Sequence, residues 1–339
     1  MCRMTVCDSD NKTDKTDGRT IRCGTRGNYV RNPADGPDLF QRYAMLLMAI
    51  MKYLGIPEYR FPRSNHIYSY RQKIGLLVVR KRMCLSYNQF ILDLPSYPNM
   101  LDAFGLREYI PDKTTLVRFA NAVDHGDLEA IVRAFCLFVD DPCVIALDCT
   151  GFSNFLRSAH FVKRCEELGI HKEPRSFTKG SFAVDVRTHI IMSARFSADK
   201  RHDIRFVDEH VSDLKGMDIG CMLMDKGYDS ETVHRKLRQS LGCDTIIPCR
   251  ESRGNRGFSV HGMIRNQMLD GLKDKDGEMR ALYNKRPQAE TANFMVKTHE
   301  GSHILSRLEH TRVTEGLCMV VAHNCKVVAD LGLSWESSA

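Results

Sequence analysis

From Leu39 onward apolar residues recur in steps of three and four: Leu39, Tyr43, Leu46, Leu47, Ile50 and Leu54. That period marks one buried stripe of an amphipathic helix, and Gly55 and Pro57 stop it. A second helical pattern covers residues 70–83. Ser86 followed by Gln89 is a capping-box signature that opens a short helix at residue 87. Pro95 and Pro98 break the chain before another short helix at LDAFGL. The stretch IPDKTTLVRFANAV predicts one more, capped by Asp112 or Thr114, with Leu116, Phe119 and Val123 turned inward. Residues 38–138 thus read as an all-α region. A packing bundle and a helix-turn-helix DNA reader over 70–123 both fit this pattern.

At Pro142 the period changes. CVIALD (143–148) is a short apolar, β-branched run, the pattern of a buried strand. FAVDVRTHIIMSARF (182–196) predicts two strands joined by a turn near Thr188, with Asp185 as an outward strand residue. CMLMD (221–225) is another buried strand, and SETVHRKLRQSLG after it is a helix between Ser230 and Gly242. DTIIPC (244–249) predicts a further strand, and His202 and Asp203 read as helix-start residues. The expected fold class is therefore α/β: a mixed sheet over 139–328 flanked by helices, preceded by the all-α region. Residues 1–37 lack any hydrophobic period and are expected to form a polar tail, as are residues 329–339.

Composition narrows the function classes. The chain has 339 residues, 43% hydrophobic and 27% charged, as expected for a globular protein. No apolar run approaches the roughly 18 residues that span a bilayer. The N-terminus carries no apolar core of a secretory signal, so a cytoplasmic location is expected. The 13 cysteines form no C-x-x-C pair and read as small buried hydrophobes. Cys318, His323 and Cys325 fit no usual zinc spacing and lie in an apolar helical run. A net charge of +7, from 49 Lys and Arg against 42 Asp and Glu, permits a polyanionic partner without requiring one.

The acids carry the chemistry. Asp148 is expected to close one strand and Asp225 another, and functional groups gather at the C-terminal ends of such strands. A third acid, Glu290, lies in ALYNKRPQAETANFMVK (281–297). Pro287 lacks an N–H and favours the first turn of a helix. At about 100° per residue, Glu290 and Lys297 fall within roughly 20° of each other, while Ala289, Ala292 and Val296 face another side. Carboxylate oxygens suit Mg²⁺ or Mn²⁺. Three of them can hold two such ions about 4 Å apart for in-line phosphoryl displacement. Arg286 and Lys297 would neutralise the phosphates of a nucleic-acid strand, and Tyr283 would contact its backbone. Arg250, Arg253 and Arg256, in the loop RESRGNRGFSVHG, are further candidate phosphate contacts.

Strand–Asp148, strand–Asp225-Lys-Gly-Tyr228 and Tyr283-x2-Arg286-x3-Glu290-x6-Lys297 resemble the DDE transposases of prokaryotic insertion sequences. The resemblance is to the branch with the tyrosine–arginine–glutamate–lysine signature, whose four positions match in spacing. It covers about residues 85–330. It implies a ribonuclease-H-like core and Mg²⁺-dependent DNA cleavage and joining, with two ions held by Asp148, Asp225 and Glu290. Tyr283, Arg286 and Lys297 then hold the DNA end. The implied partners are the element's terminal inverted repeats and target DNA, with a homodimer pairing two ends. The interval between Asp225 and Glu290 has no room for the β-rich insertion of some relatives. The sole Trp, Trp335, lies in the C-terminal tail.

Three other functions compete on sequence grounds. A transposase-derived DNA-binding protein without catalysis would keep the basic residues but not need the intact acids. A nuclease of the same fold would cut without joining. A phosphatase using Asp148 as nucleophile would want a second Asp two residues on, where Thr150 stands.

Overall fold

The computed structural model describes residues 37–60, 66–106, 109–154, 164, 167–169, 177–198, 201–250 and 262–333. Most of the expected N-terminal tail lies outside the described residues, as do Arg253, Arg256 and Trp335.

Six helices come first: α1 (Pro37–Tyr53), α2 (Tyr70–Arg82), α3 (Tyr87–Asp93), α4 (Pro98–Phe104), α5 (Lys113–Ala120) and α6 (His125–Ala134). The starts of α2, α3, α5 and α6 carry side-chain caps. The Ser69 hydroxyl accepts from the Gln72 N–H while Gln72 caps Ser69 in return, a complete capping box. Asp112 accepts from the Thr114 N–H at 2.8 Å. At α3 only half the expected box forms. Ser86 accepts from the Gln89 N–H, but the Gln89 amide donates to Asp93 at 2.8 Å instead of reaching back. Gly75 lets α2 meet α4, since a Cβ there would lie 2.2 Å from the Phe104 ring.

Helix α2 is packed into the interior. It lies against a long C-terminal helix, and Ile74, Leu76, Leu77, Val78 and Val79 are buried. Its basic end is buried too. Arg80 donates to the Leu85 carbonyl at 2.9 Å, Lys81 pairs with Glu315 at 2.8 Å, and Arg82 pairs with Glu300 at 3.6 Å. Those cations are spent on internal partners.

Five strands form one sheet: β1 (Cys143–Ser153), β2 (Phe177–Asp185), β3 (Ile191–Ser197), β4 (Ile219–Met224) and β5 (Asp244–Ile246). Their spatial order is β3-β2-β1-β4-β5, with β1, β2 and β3 antiparallel and β1, β4 and β5 parallel. This is the expected mixed sheet. Helix α7 (Val207–Leu214) packs on β3 and α8 (Glu231–Leu241) on β5, the latter ended by Gly242 at φ +68°. Helices α9 (Met263–Gly271) and α10 (Glu278–Tyr283) lead to α11 (Pro287–His299), which packs on β1 and β2. Helix α12 (Glu309–Asp330) packs on α2, α6 and β3.

Three expectations need correction, the first being the strand over 244–249, which ends at Ile246. β1 does not stop at Asp148; it runs on to Ser153 because β2 is long enough to pair with it through Ser153↔Phe177. Asp185 is not turned outward. It is 2% exposed, and its carboxylate accepts from the Thr188 N–H (2.8 Å) and hydroxyl (2.7 Å), pinning the β2–β3 turn. Cys318 and Cys325 are buried free thiols, and His323 bonds the His189 carbonyl at 2.9 Å. None of the helices among the described residues is long and apolar enough to cross a membrane.

Glu315 ties the helical region to α12. Burial alone would raise its pKa, but the Lys81 charge and bonds from Lys81 and Ser306 hold it down at about 2. A folded-state pKa below the unfolded value of 4.5 means that this stabilisation is present above about pH 4.5 and is lost as pH falls towards 2. Glu315→Gln strands the Lys81 ammonium in the interior and is expected to cost about 3–5 kcal/mol in urea unfolding at pH 7. The difference from wild type should shrink in acid.

Candidate active site

The sheet's register brings two acids together. Parallel pairing of β1 with β4 ends at Leu147↔Met224, so Asp148 and Asp225 are the next residues on neighbouring strands. Asp148 is thus mid-strand relative to β2, where it pairs with Phe182, but at the strand end relative to β4. Asp225 opens a short helical turn, and its carbonyl accepts the Tyr228 N–H at 2.9 Å. Tyr228 is buried, and its hydroxyl meets the Cys149 thiol at 3.2 Å, joining the two acid-bearing segments.

Helix α11 supplies the third acid. Pro287 is its first residue, where the missing N–H costs nothing. Arg286, directly before the proline, keeps a helical conformation (φ −52°, ψ −39°) that a following proline disfavours. Bonds from the Arg286 N–H to the Tyr283 carbonyl and from the Ala289 N–H to the Arg286 carbonyl hold it there. Ala289, Ala292 and Val296 are fully buried against the sheet. The opposite stripe carries Glu290, Phe294 and Lys297, with Phe294 68% exposed.

Arg286 stands between the acids. Its Nη1 donates to Glu290 Oε1 at 2.7 Å and its Nη2 lies 3.6 Å from Asp148 Oδ1. Burial works against the guanidinium charge, but Asp148 and Glu290 outweigh it and raise the Arg286 pKa. The Asp148 carboxyl is pushed up by burial, pulled down by Arg286, and pushed up again by Glu290 and Asp225. Tyr283 is raised mainly by burial, with Arg286 and Asp225 in its field. Lys297 is lowered by burial and feels Asp148; its Nζ sits 5.5 Å from the Phe152 ring centroid.

The six residues singled out around the acids therefore meet in one electrostatic neighbourhood. Arg250 is close by on the other side of the Asp225 turn. It donates to the Lys226 carbonyl at 2.8 Å and the Gly227 carbonyl at 2.6 Å, bracing that turn. Arg253 and Arg256 lie outside the described residues.

Carboxylate oxygens are the right donors for a hard divalent cation. Three acids within one another's fields need a countercharge, and Arg286 supplies it here. Among the described residues no three His, Cys, Asp or Glu side chains are gathered closely enough to hold an ion. Glu290 is 57% exposed and committed to Arg286.

One side chain of this neighbourhood escaped the sequence reading. Asn293 Nδ2 donates to Asp148 Oδ2 at 2.9 Å. Its place on the apolar side of α11 gave it no motif and no charge to be found by. Tyr228 was visible in the Asp-Lys-Gly-Tyr run, but its bond to Cys149 depends on the pairing of β1 with β4 and could not be read from spacing.

Residues 141–325, more than half of the chain, match the family model described as a transposase DDE domain. Among solved structures, the cryo-EM structure of the piggyBac transposase synaptic complex with hairpin DNA is similar at 9% identity. It has a TM-score of 0.42 and covers 89% of this chain and 76% of that one. No curated protein matches the chain significantly in sequence.

The two sides of α11 are expected to respond in opposite ways to substitution. Ala292→Leu overpacks the contact with the sheet and should cost about 1–3 kcal/mol in chemical denaturation. Phe294→Ser, on the exposed stripe, should stay within about 0.5 kcal/mol of wild type.

Proposed function

Since the chain belongs to the transposase DDE domain family, we propose that it cleaves DNA at the ends of an insertion sequence and joins the freed 3′ ends to target DNA. The observation that carries this reading is the meeting of Asp148, Asp225 and Glu290 with Arg286, Tyr283 and Lys297 in one neighbourhood. The spacing of Tyr283, Arg286, Glu290 and Lys297 supports assignment to the prokaryotic branch with that signature. In this reading residues 139–328 are the catalytic unit and the helices of 38–138 brace it.

Bound by Asp148, Asp225 and Glu290, two Mg²⁺ or Mn²⁺ ions would supply a more acidic water and charge stabilisation for in-line phosphoryl displacement. The chain's own residues do the rest. Arg286 releases Glu290 and turns to a phosphate, where its planar fork can bond two oxygens. Lys297 neutralises a second phosphate from the same helix stripe, and the Tyr283 hydroxyl bonds the backbone near the scissile position. Water attacks the scissile phosphorus, the bond to the 3′ oxygen breaks, and that oxygen takes up a proton. The freed 3′-hydroxyl then attacks a target phosphodiester, displacing the target's own 3′ oxygen. Two ends must be held at once, so the working unit is a homodimer on DNA. Intact acids at all three positions favour this reading over a DNA-binding relic without catalysis.

Asp148→Ala, Asp225→Ala and Glu290→Ala should each lower Mg²⁺-dependent cleavage of DNA carrying the gene's flanking repeats by at least about a hundredfold. Binding of that DNA should persist. Cleavage by Glu290→Ala at the wild-type rate would contradict the assignment. Lys297→Ala should weaken DNA binding across sequences and reduce the slope of log K against log salt by about 1. An unchanged slope would remove Lys297 from the DNA contact.

A further inference from the structure

We propose that Asn293 is a positioning residue for Asp148: its carboxamide holds one carboxylate oxygen so that the other is presented to the cation. This deepens the reading of Asp148 as a cation ligand and rests on it. The two oxygens of Asp148 have different partners. Oδ2 accepts from Asn293 Nδ2 at 2.9 Å, whereas Oδ1 is the atom 3.6 Å from Arg286 Nη2, on the side of the positive charge. An ionised carboxylate only accepts, so the amide must present its nitrogen here, and its orientation is not ambiguous.

The location argues that this bond is the purpose of the side chain. Asn293 is 6% exposed, one residue after fully buried Ala292 and three before fully buried Val296. An apolar residue would satisfy packing at such a place. Instead the position carries an amide whose Oδ1 is buried with no hydrogen-bond partner among the described residues. A half-satisfied buried amide is unfavourable unless its satisfied half does something that an apolar group cannot. What it does is stop the Asp148 carboxyl from turning about its terminal torsion, which is otherwise broad.

The same residue couples two parts of the site. Glu290 and Asn293 are one turn apart on α11, while Asp148 is on β1. Seating α11 on the sheet therefore sets the position of Glu290 and the orientation of Asp148 together. Hydrogen-bond partners that orient metal ligands commonly contribute 10- to 100-fold to metal affinity.

The test is Mn²⁺ binding to the full chain without DNA, read from the electron paramagnetic resonance signal of the free ion. Thermal melting is followed alongside. Asn293→Leu keeps the branched skeleton of four side-chain heavy atoms and removes the donor. It is expected to melt cooperatively near the wild-type temperature while binding Mn²⁺ about 10- to 100-fold more weakly. Should Leu not fold, Asn293→Ser, too short to reach Oδ2, is read in its place with the same expectation. Asp148→Asn is the reference and should abolish the site. If Asp148→Asn abolishes Mn²⁺ binding while the Asn293 variants bind as wild type does, the positioning role is overturned and the ligand assignment stands. If Asp148→Asn itself binds Mn²⁺ like wild type, the ligand assignment fails and takes the positioning role with it.

Discussion

Parallel pairing of β1 with β4, ending at Leu147 and Met224, is the constraint on which the site depends. Side chains alternate along a strand, and a slip of one residue would turn either acid to the other face of the sheet. The apolar residues on both strands fix that register: Ile145, Ala146 and Leu147 face a fully buried environment, as do Met222, Leu223 and Met224. Burial of these side chains therefore does two things at once. It stabilises the sheet, and it delivers Asp148 and Asp225 side by side at the place where the pairing ends.

The second requirement is a helix that can bring a third acid to the same place without burying it. Helix α11 meets it by separating its sides. Ala289, Ala292 and Val296 allow close approach to β1 and β2, and Glu290 remains on the open stripe. Bringing three carboxylates into one field is unfavourable, and Arg286 offsets it from the start of the same helix. The guanidinium thus supplies the positive charge that offsets these carboxylates.

Much of this was legible in the sequence. Periodicity placed α1, α5 and α8 because each buries one face, and the apolar runs placed β1, β2, β3 and β4 because both faces of these strands are covered. The start of α11 at Pro287 and the separation of Glu290 and Lys297 from Ala289, Ala292 and Val296 were legible because the proline and the helical period fix relative directions within a single element. Features that depend on two elements were not. The extension of β1 to Ser153 required knowing how long β2 is, and the burial of Asp185 required the turn it caps. The commitment of Arg80, Lys81 and Arg82 to internal partners required α12 and its Glu315. Asn293 was hidden for the same reason: its meaning lies in Asp148, far away in the chain, and not in its neighbours.

The proposed cation site joins Asp148, Asp225 and Glu290, with Arg286 withdrawn. The most direct measurement is a crystal structure of the protein soaked in Mn²⁺, with the ion located by anomalous scattering. Mn²⁺ is expected among the three carboxylates, with the Glu290 oxygen turned to the ion and Arg286 no longer paired to it. Mn²⁺ bound elsewhere, with Arg286 still bridging Glu290 and Asp148, would contradict it.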